Sequence, residues 1–166
     1  MSMEKEREDF QCWLADMDDA LQRFLDGLSS EVAARLDFSP GSLDVLEAWI
    51  LNKYASTQEM LPPSESRLVD GLARYIGETF RKAVGGHWEM RLDDPKYVFH
   101  GIPQLTGFWE KPTPVCPLPL ATASANRRTG RYLGGVLAVY LRDKQRKASR
   151  TCQDPQRLVV AKQLNS

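Results

Sequence analysis

The chain has 166 residues, 42% of them hydrophobic, with a mean hydropathy of −0.42, enough for one domain with a true core and short for two. Its longest strongly apolar run, Tyr132 to Leu141, would span about 15 Å as a helix against a hydrocarbon core of about 30 Å, so no membrane crossing is expected. The 22 bases balance the 22 acids, and Cys12, Cys116 and Cys152 suit neither a disulfide framework nor a paired-cysteine metal clamp. The charged start MSMEKERED does not read as a secretory signal, and the expected setting is a reducing cytoplasm.

Met3 to Leu28 reads as one amphipathic helix, with Phe10, Trp13, Leu14, Met17, Leu21, Phe24, Leu25 and Leu28 at spacings of three and four. Ser39-Pro40 starts a second helix, because a serine caps free N–H groups and a proline at the first helical position lacks one. Leu43, Leu46, Trp49, Ile50 and Tyr54 form its apolar side to about Ala55, and Ser56 to Pro63 is a linker. Ser64 or Ser66 caps the third helix, whose stripe is Leu68, Leu72, Ile76 and Phe80. Gly85-Gly86 ends it, and the period then changes to two: Trp88, Met90 and Leu92 alternate with His87, Glu89 and Arg91, as in a strand with one buried face.

Asp93 to Lys96 is a short loop into a second strand, Tyr97 to Ile102, closed by Pro103; Gln104 to Trp109 is the candidate third strand. The prolines at 112, 114, 117 and 119 make Lys111 to Pro119 an extended crossing. A last helix begins near Leu120, with Leu133, Val136, Leu137, Tyr140 and Leu141 inward and Gly130 and Gly134 as a small-residue face. The fold class is α+β: about four main helices on a small antiparallel hairpin or three-stranded sheet. Residues 1–147 form the domain and 148–166 a basic, flexible tail, with Leu158 to Ala161 as a docking segment.

Zero net charge hides a polarity along the chain. Residues 1–37 hold ten acids and four bases, whereas residues 126–166 hold ten bases and two acids. Either the two ends pair with each other or they present opposite surfaces to partners. The acids read most simply as a solvated helix face. Arg127, Arg128 and Arg131, with the cluster from Arg142 to Arg150, raise nucleic acid as an alternative partner, although the tail has no interleaved aromatics to stack on bases.

Within the third helix, Gly77 costs about 1 kcal/mol relative to alanine, which close approach of another element would repay. Glu78 has Arg74 and Lys82 one turn to either side and reads as a surface charge ladder; any functional role would require burial. Cys116 with His87 or His100 could form a thiol–imidazole pair, but no local motif supports it. His87 and His100 lack a ligand pattern, and Gly85-Gly86 follows a helix, whereas a phosphate-cradling loop precedes one. No catalytic residue, metal or cofactor is expected.

Tyr75-Ile76-Gly77-Glu78, continuing to Gly85-Gly86-His87-Trp88, resembles a Y-x-G-E … G-G-x-W signature of small bacterial proteins of the kind found as immunity proteins beside polymorphic toxins. Ser39-Pro40, Ser42-Leu43, Leu46-Glu47 and the proline-flanked segment Pro114 to Pro119 fit the same pattern, so the resemblance covers roughly residues 39–141. It implies a protein that binds and blocks a cytosolic toxin without turnover. The implied contact is the acidic first helix, through Asp16, Asp18, Asp19 and Asp26, because toxins that act on nucleic acid carry basic clefts.

Overall fold

The computed structural model describes residues 2–108 and 113–153. Seven helices and a two-stranded antiparallel sheet make up the described part, an α+β architecture built around one helix. Among the described residues no helix is long and apolar enough to cross a membrane.

The expected first helix is two: α1 (Met3–Ala15) and α2 (Met17–Asp26), followed by the single turn α3 (Ser30–Ala33). Asp16 sits between them at φ −85°, ψ 4°, outside the helical well. An unbroken helix over residues 3–28 would be about 39 Å long. The break lets α2 turn its buried residues Met17, Leu21 and Phe24 onto the helix behind it, while α1 buries none of its residues.

The second helix, α4 (Ser42–Lys53), starts two residues later than Ser39-Pro40 suggested. Those two residues form a turn ahead of it, their carbonyls accepting from the Ser42 and Leu43 amides. Leu43, Leu46 and Ile50 are fully buried, as their spacing predicted. The expected linker from Ser56 is wound into 3-10 turns at Thr57–Met60 and Pro63–Glu65. No side chain caps the helix after it; the Ser66 hydroxyl donates to the Pro63 carbonyl instead.

That helix, α5 (Ser66–Val84), is the axis of the molecule. Its residues from Gly71 to Phe80 are all buried, Leu72, Ile76 and Phe80 completely. Phe24 of α2 lies flat on Gly71, where a Cβ would fall 2.4 Å from its ring. Gly85 and Gly86, at φ +84° and +88°, stop α5 and reverse the chain, a conformation that side-chain-bearing residues adopt at a cost.

The reversal feeds β1 (His87–Glu89), which pairs with β2 (Gln104–Thr106) in the register His87 to Thr106, Trp88 to Leu105 and Glu89 to Gln104. The partner strand is therefore the expected third one, and the expected hairpin with Tyr97 to Ile102 does not form. Turn chemistry wins there. The Asp94 side chain and carbonyl accept from the Lys96 and Tyr97 amides, further i to i+3 bonds follow at His100 and Ile102, and Gly101 takes φ +71°. Val115 bridges Leu105 in both directions as an isolated third rung, so a full three-stranded sheet does not form among the described residues.

The expected crossing through Pro119 ends early, because α6 (Pro117–Arg127) places Pro117 in its first turn, where the missing N–H would be unpaired anyway. The expected last helix is likewise broken, at Arg128 (φ 55°) and Gly130 (φ 75°), before α7 (Tyr132–Gln153). Gly130 thus lies in the break, and only Gly134 of the supposed small-residue face packs tightly, against Asp44. Helix α7 runs beyond Lys147 into the segment expected as tail; residues 154–166, with Leu158 to Ala161, lie outside the described residues. Around α5 stand α2, α6 and α7, with α4 bridging α6 and α7.

Candidate functional site

Gly77, Glu78 and Trp88 meet at the middle of α5. A Cβ on Gly77 would fall 2.1 Å from Cη2 of Trp88 and 3.1 Å from Cγ of Pro117, so the bare backbone admits the indole from β1 and the first residue of α6. The next residue, Glu78, is buried and receives that indole: Trp88 donates Nε1–H to Oε1 at 2.7 Å. Arg81 adds a bidentate pair, Nε to Oε1 at 3.0 Å and Nη2 to Oε2 at 2.9 Å. The expected ladder of Arg74, Glu78 and Lys82 on the surface is therefore corrected, since Glu78 pairs with Arg81 and Arg74 is buried beside Asp70. Burial acts to raise the Glu78 pKa, but the hydrogen bonds from Arg81 and Trp88 and the fields of Arg81 and Lys82 outweigh it, leaving the carboxyl below its ordinary value. An ionised carboxylate partnered on both oxygens ties α5 to β1.

Tyr75 anchors the opposite side of α5. Its hydroxyl accepts from the Phe38 amide at 2.9 Å and shares a 2.7 Å bond with Ser42, and Phe38 stacks on its ring at 4.6 Å. Tyr75 thus ties α5 to the start of α4, Gly77, Glu78 and Trp88 tie it to β1 and α6, and Gly85 and Gly86 end it.

A second tryptophan completes the arrangement. Trp13, the α1 side chain that packs on the core, meets Trp88 edge-on at 4.9 Å and donates its Nε1–H to Asp70 at 2.8 Å. Arg74 stacks 4.1 Å from the Trp13 ring centre, donates to the Trp13 carbonyl at 2.8 Å and to Asp70 at 2.7 Å. Between the two indoles, Pro103 just ahead of β2 and the prolines of α6 opens a cleft of about 520 Å³, lined also by Val69, Ala73, Met60 and Asp70. By periodicity Trp13 is one more stripe residue, and nothing in the apolar pattern marks Asp70. The i to i+4 spacing of Asp70 and Arg74 was the available signal.

Asp16, Asp18, Asp19 and Asp26 all lie on α2 or at its start. Asp16 pairs with Arg23 at 2.6 Å, and Asp26 accepts from Gln22. Asp18 and Asp19 are exposed in the first turn of α2, where the helix dipole favours negative charge. Among the described residues the ion pairs of the acidic segment are local, Lys5 with Asp9 and Asp16 with Arg23. The basic residues follow a different pattern. Arg128 is taken up by the fold, donating to the carbonyls of Leu51, Tyr54, Ala55 and Ala125 at 2.9 to 3.2 Å. Arg127 stacks on Tyr132, and Lys144 donates to the Ala83 carbonyl at the end of α5.

Cys116 is buried, its thiol 3.7 Å from the Pro103 carbonyl, and desolvation pushes its pKa up to about 12. His87 bonds to Thr106 across the sheet. Glu78, His87 and Cys116 thus each have their own partners. Among the described residues no three metal-ligating side chains cluster. Compared with protein-family models, curated proteins and solved structures, the chain shows no match to any of them.

Proposed function

We propose that the chain is a non-enzymatic protein-binding domain that captures a basic protein surface through the acidic face of α2, in the manner of an immunity protein blocking a toxin. The observation that supports this reading is the exposure of Asp18 and Asp19 on a helix whose other face is locked to α5; among the described residues neither makes a close salt bridge, although the charge of Asp18 is felt by the Arg81 guanidinium. Carboxylates left in solvent raise encounter rates with a cationic partner and set its orientation. The partner is then the product of an adjacent gene, and calorimetry measures its affinity. Asp18→Lys with Asp19→Lys should weaken binding at least about tenfold, the scale of removing close interfacial charge pairs. Asp16 is best left intact, since its bond to Arg23 belongs to the junction with α1. Unchanged affinity, or no binding to the adjacent product, refutes the reading.

A nucleic-acid role is the second reading. Arg142, Arg146 and Arg150 recur every four residues on exposed positions of α7, which supports it. Binding of that kind would fall by orders of magnitude between about 50 and 200 mM salt, whereas a packed protein interface would lose far less.

A further inference from the structure

We infer that α1 is a releasable strap, latched to the body through Trp13 and hinged at Asp16. Three independent features carry this. Helix α1 buries none of its thirteen residues, whereas α2, directly after it, buries Met17, Leu21 and Phe24. Among the described residues its hold on the body is concentrated in one: Trp13 donates its indole N–H to Asp70, accepts at its carbonyl from Arg74, offers its ring face to the Arg74 guanidinium and meets Trp88 edge-on. The joint is a single residue, Asp16, with non-helical ψ of 4°.

The latch partners sit on α5, the helix with the longest buried stretch. Asp70 and Arg74 both belong to α5, so breaking their bonds to Trp13 leaves α5 and its packing in place. A helix of thirteen residues is marginal by itself in water, so α1 frays once its anchor lifts. Lifting Trp13 also takes away one wall of the 520 Å³ cleft and bares the Trp88 edge beside Val69 and Ala73. The cleft therefore exists in two forms, a slot between two indoles and an open trough, and the position of α1 selects between them. The strap is separate from the charge-based reading of α2, because Asp18 and Asp19 take no part in the latch.

Hydrogen exchange of the full chain tests it, with the buried stretch of α5, residues 71–80, as internal reference. Amides of residues 6–15 should exchange at least about tenfold faster than the reference. Asp70→Asn, which removes the charge facing Arg74, and Trp13→Phe, which keeps an aromatic ring but lacks the N–H donor, should each raise the α1 rates several-fold while the α5 rates stay put. Exchange of α1 as slow as that of α5 overturns the strap, as does a rise shared equally by both helices. So does an α1 rate unchanged in both variants.

Discussion

Gly77 is the residue on which the centre of the molecule turns, since it is the space Trp88 occupies. Gly77→Ala adds helix propensity worth about 1 kcal/mol, but its methyl would stand 2.1 Å from the indole and force it off Glu78. Overpacking and a lost charge-assisted hydrogen bond together exceed that gain, and urea unfolding should show a net loss of about 2–4 kcal/mol. Glu78 predicts a pH effect whose sign follows from its lowered pKa. The stabilisation is complete above the unfolded-state value, about pH 4 to 5, and is lost as pH falls through the lower folded-state value. Melting temperatures of wild type and Glu78→Gln should therefore converge on acidification below about pH 4 and differ at pH 7. The need for a close neighbour at Gly77 was legible from the chain, because a mid-helix glycine asks for one. Which side chain fills the space was not, since Trp88 arrives from across a chain reversal. Glu78 was misread for a related reason: spacing along a helix names possible partners but does not say which face is covered.

At the scale of elements, side chains from one helix end another. Arg128 leaves α6 in a left-handed conformation and closes the carbonyl end of α4, while the fully buried Glu47 of α4 accepts the Tyr132 and Leu133 amides that open α7, at 3.1 and 2.8 Å. Arg128→Ala removes the donor from the part-buried Tyr54 and Ala125 carbonyls, leaves the exposed Leu51 and Ala55 carbonyls to water, and keeps the disfavoured backbone. A loss of about 1–2 kcal/mol in denaturant unfolding is expected, and Arg128→Lys should recover only part of it, having no planar fork. Periodicity located α5 and the inner face of α4 well because both are determined by which residues meet the core. It missed the break at Asp16, where the apolar repeat continues almost in phase across a change of direction, and the break at Arg128, although residues 126–131 carry no apolar side chain and mark it in the chain. It also misassigned Tyr97 to Ile102, whose alternation suited a strand but whose Asp94 and Gly101 enforce turns.

Across the described part of the molecule the acidic and basic segments are held differently. Helix α7 packs on α4, α5 and α6, and α2 packs on α5; Asp16 pairs with Arg23 inside its own segment, whereas Lys144 reaches the Ala83 carbonyl of α5. Raising salt from about 50 mM to about 1 M should then change the unfolding free energy by less than about 1 kcal/mol, because only exposed, local pairs are screened. A larger loss would mean that the ends attract each other after all. Counting charges along the chain shows the polarity; Arg128 and Lys144 stay exposed, but backbone carbonyls of α4 and α5 fix where their charges sit. The burial of Glu47 reaches further than stability. Its amide donors lie 85 and 86 residues later in the chain. During synthesis the first half therefore leaves the ribosome with a carboxylate that has no place in an apolar interior until residues 132 and 133 arrive. A stable core is thus withheld until most of the polypeptide has emerged, and the nascent protein depends for that interval on staying soluble while unfolded.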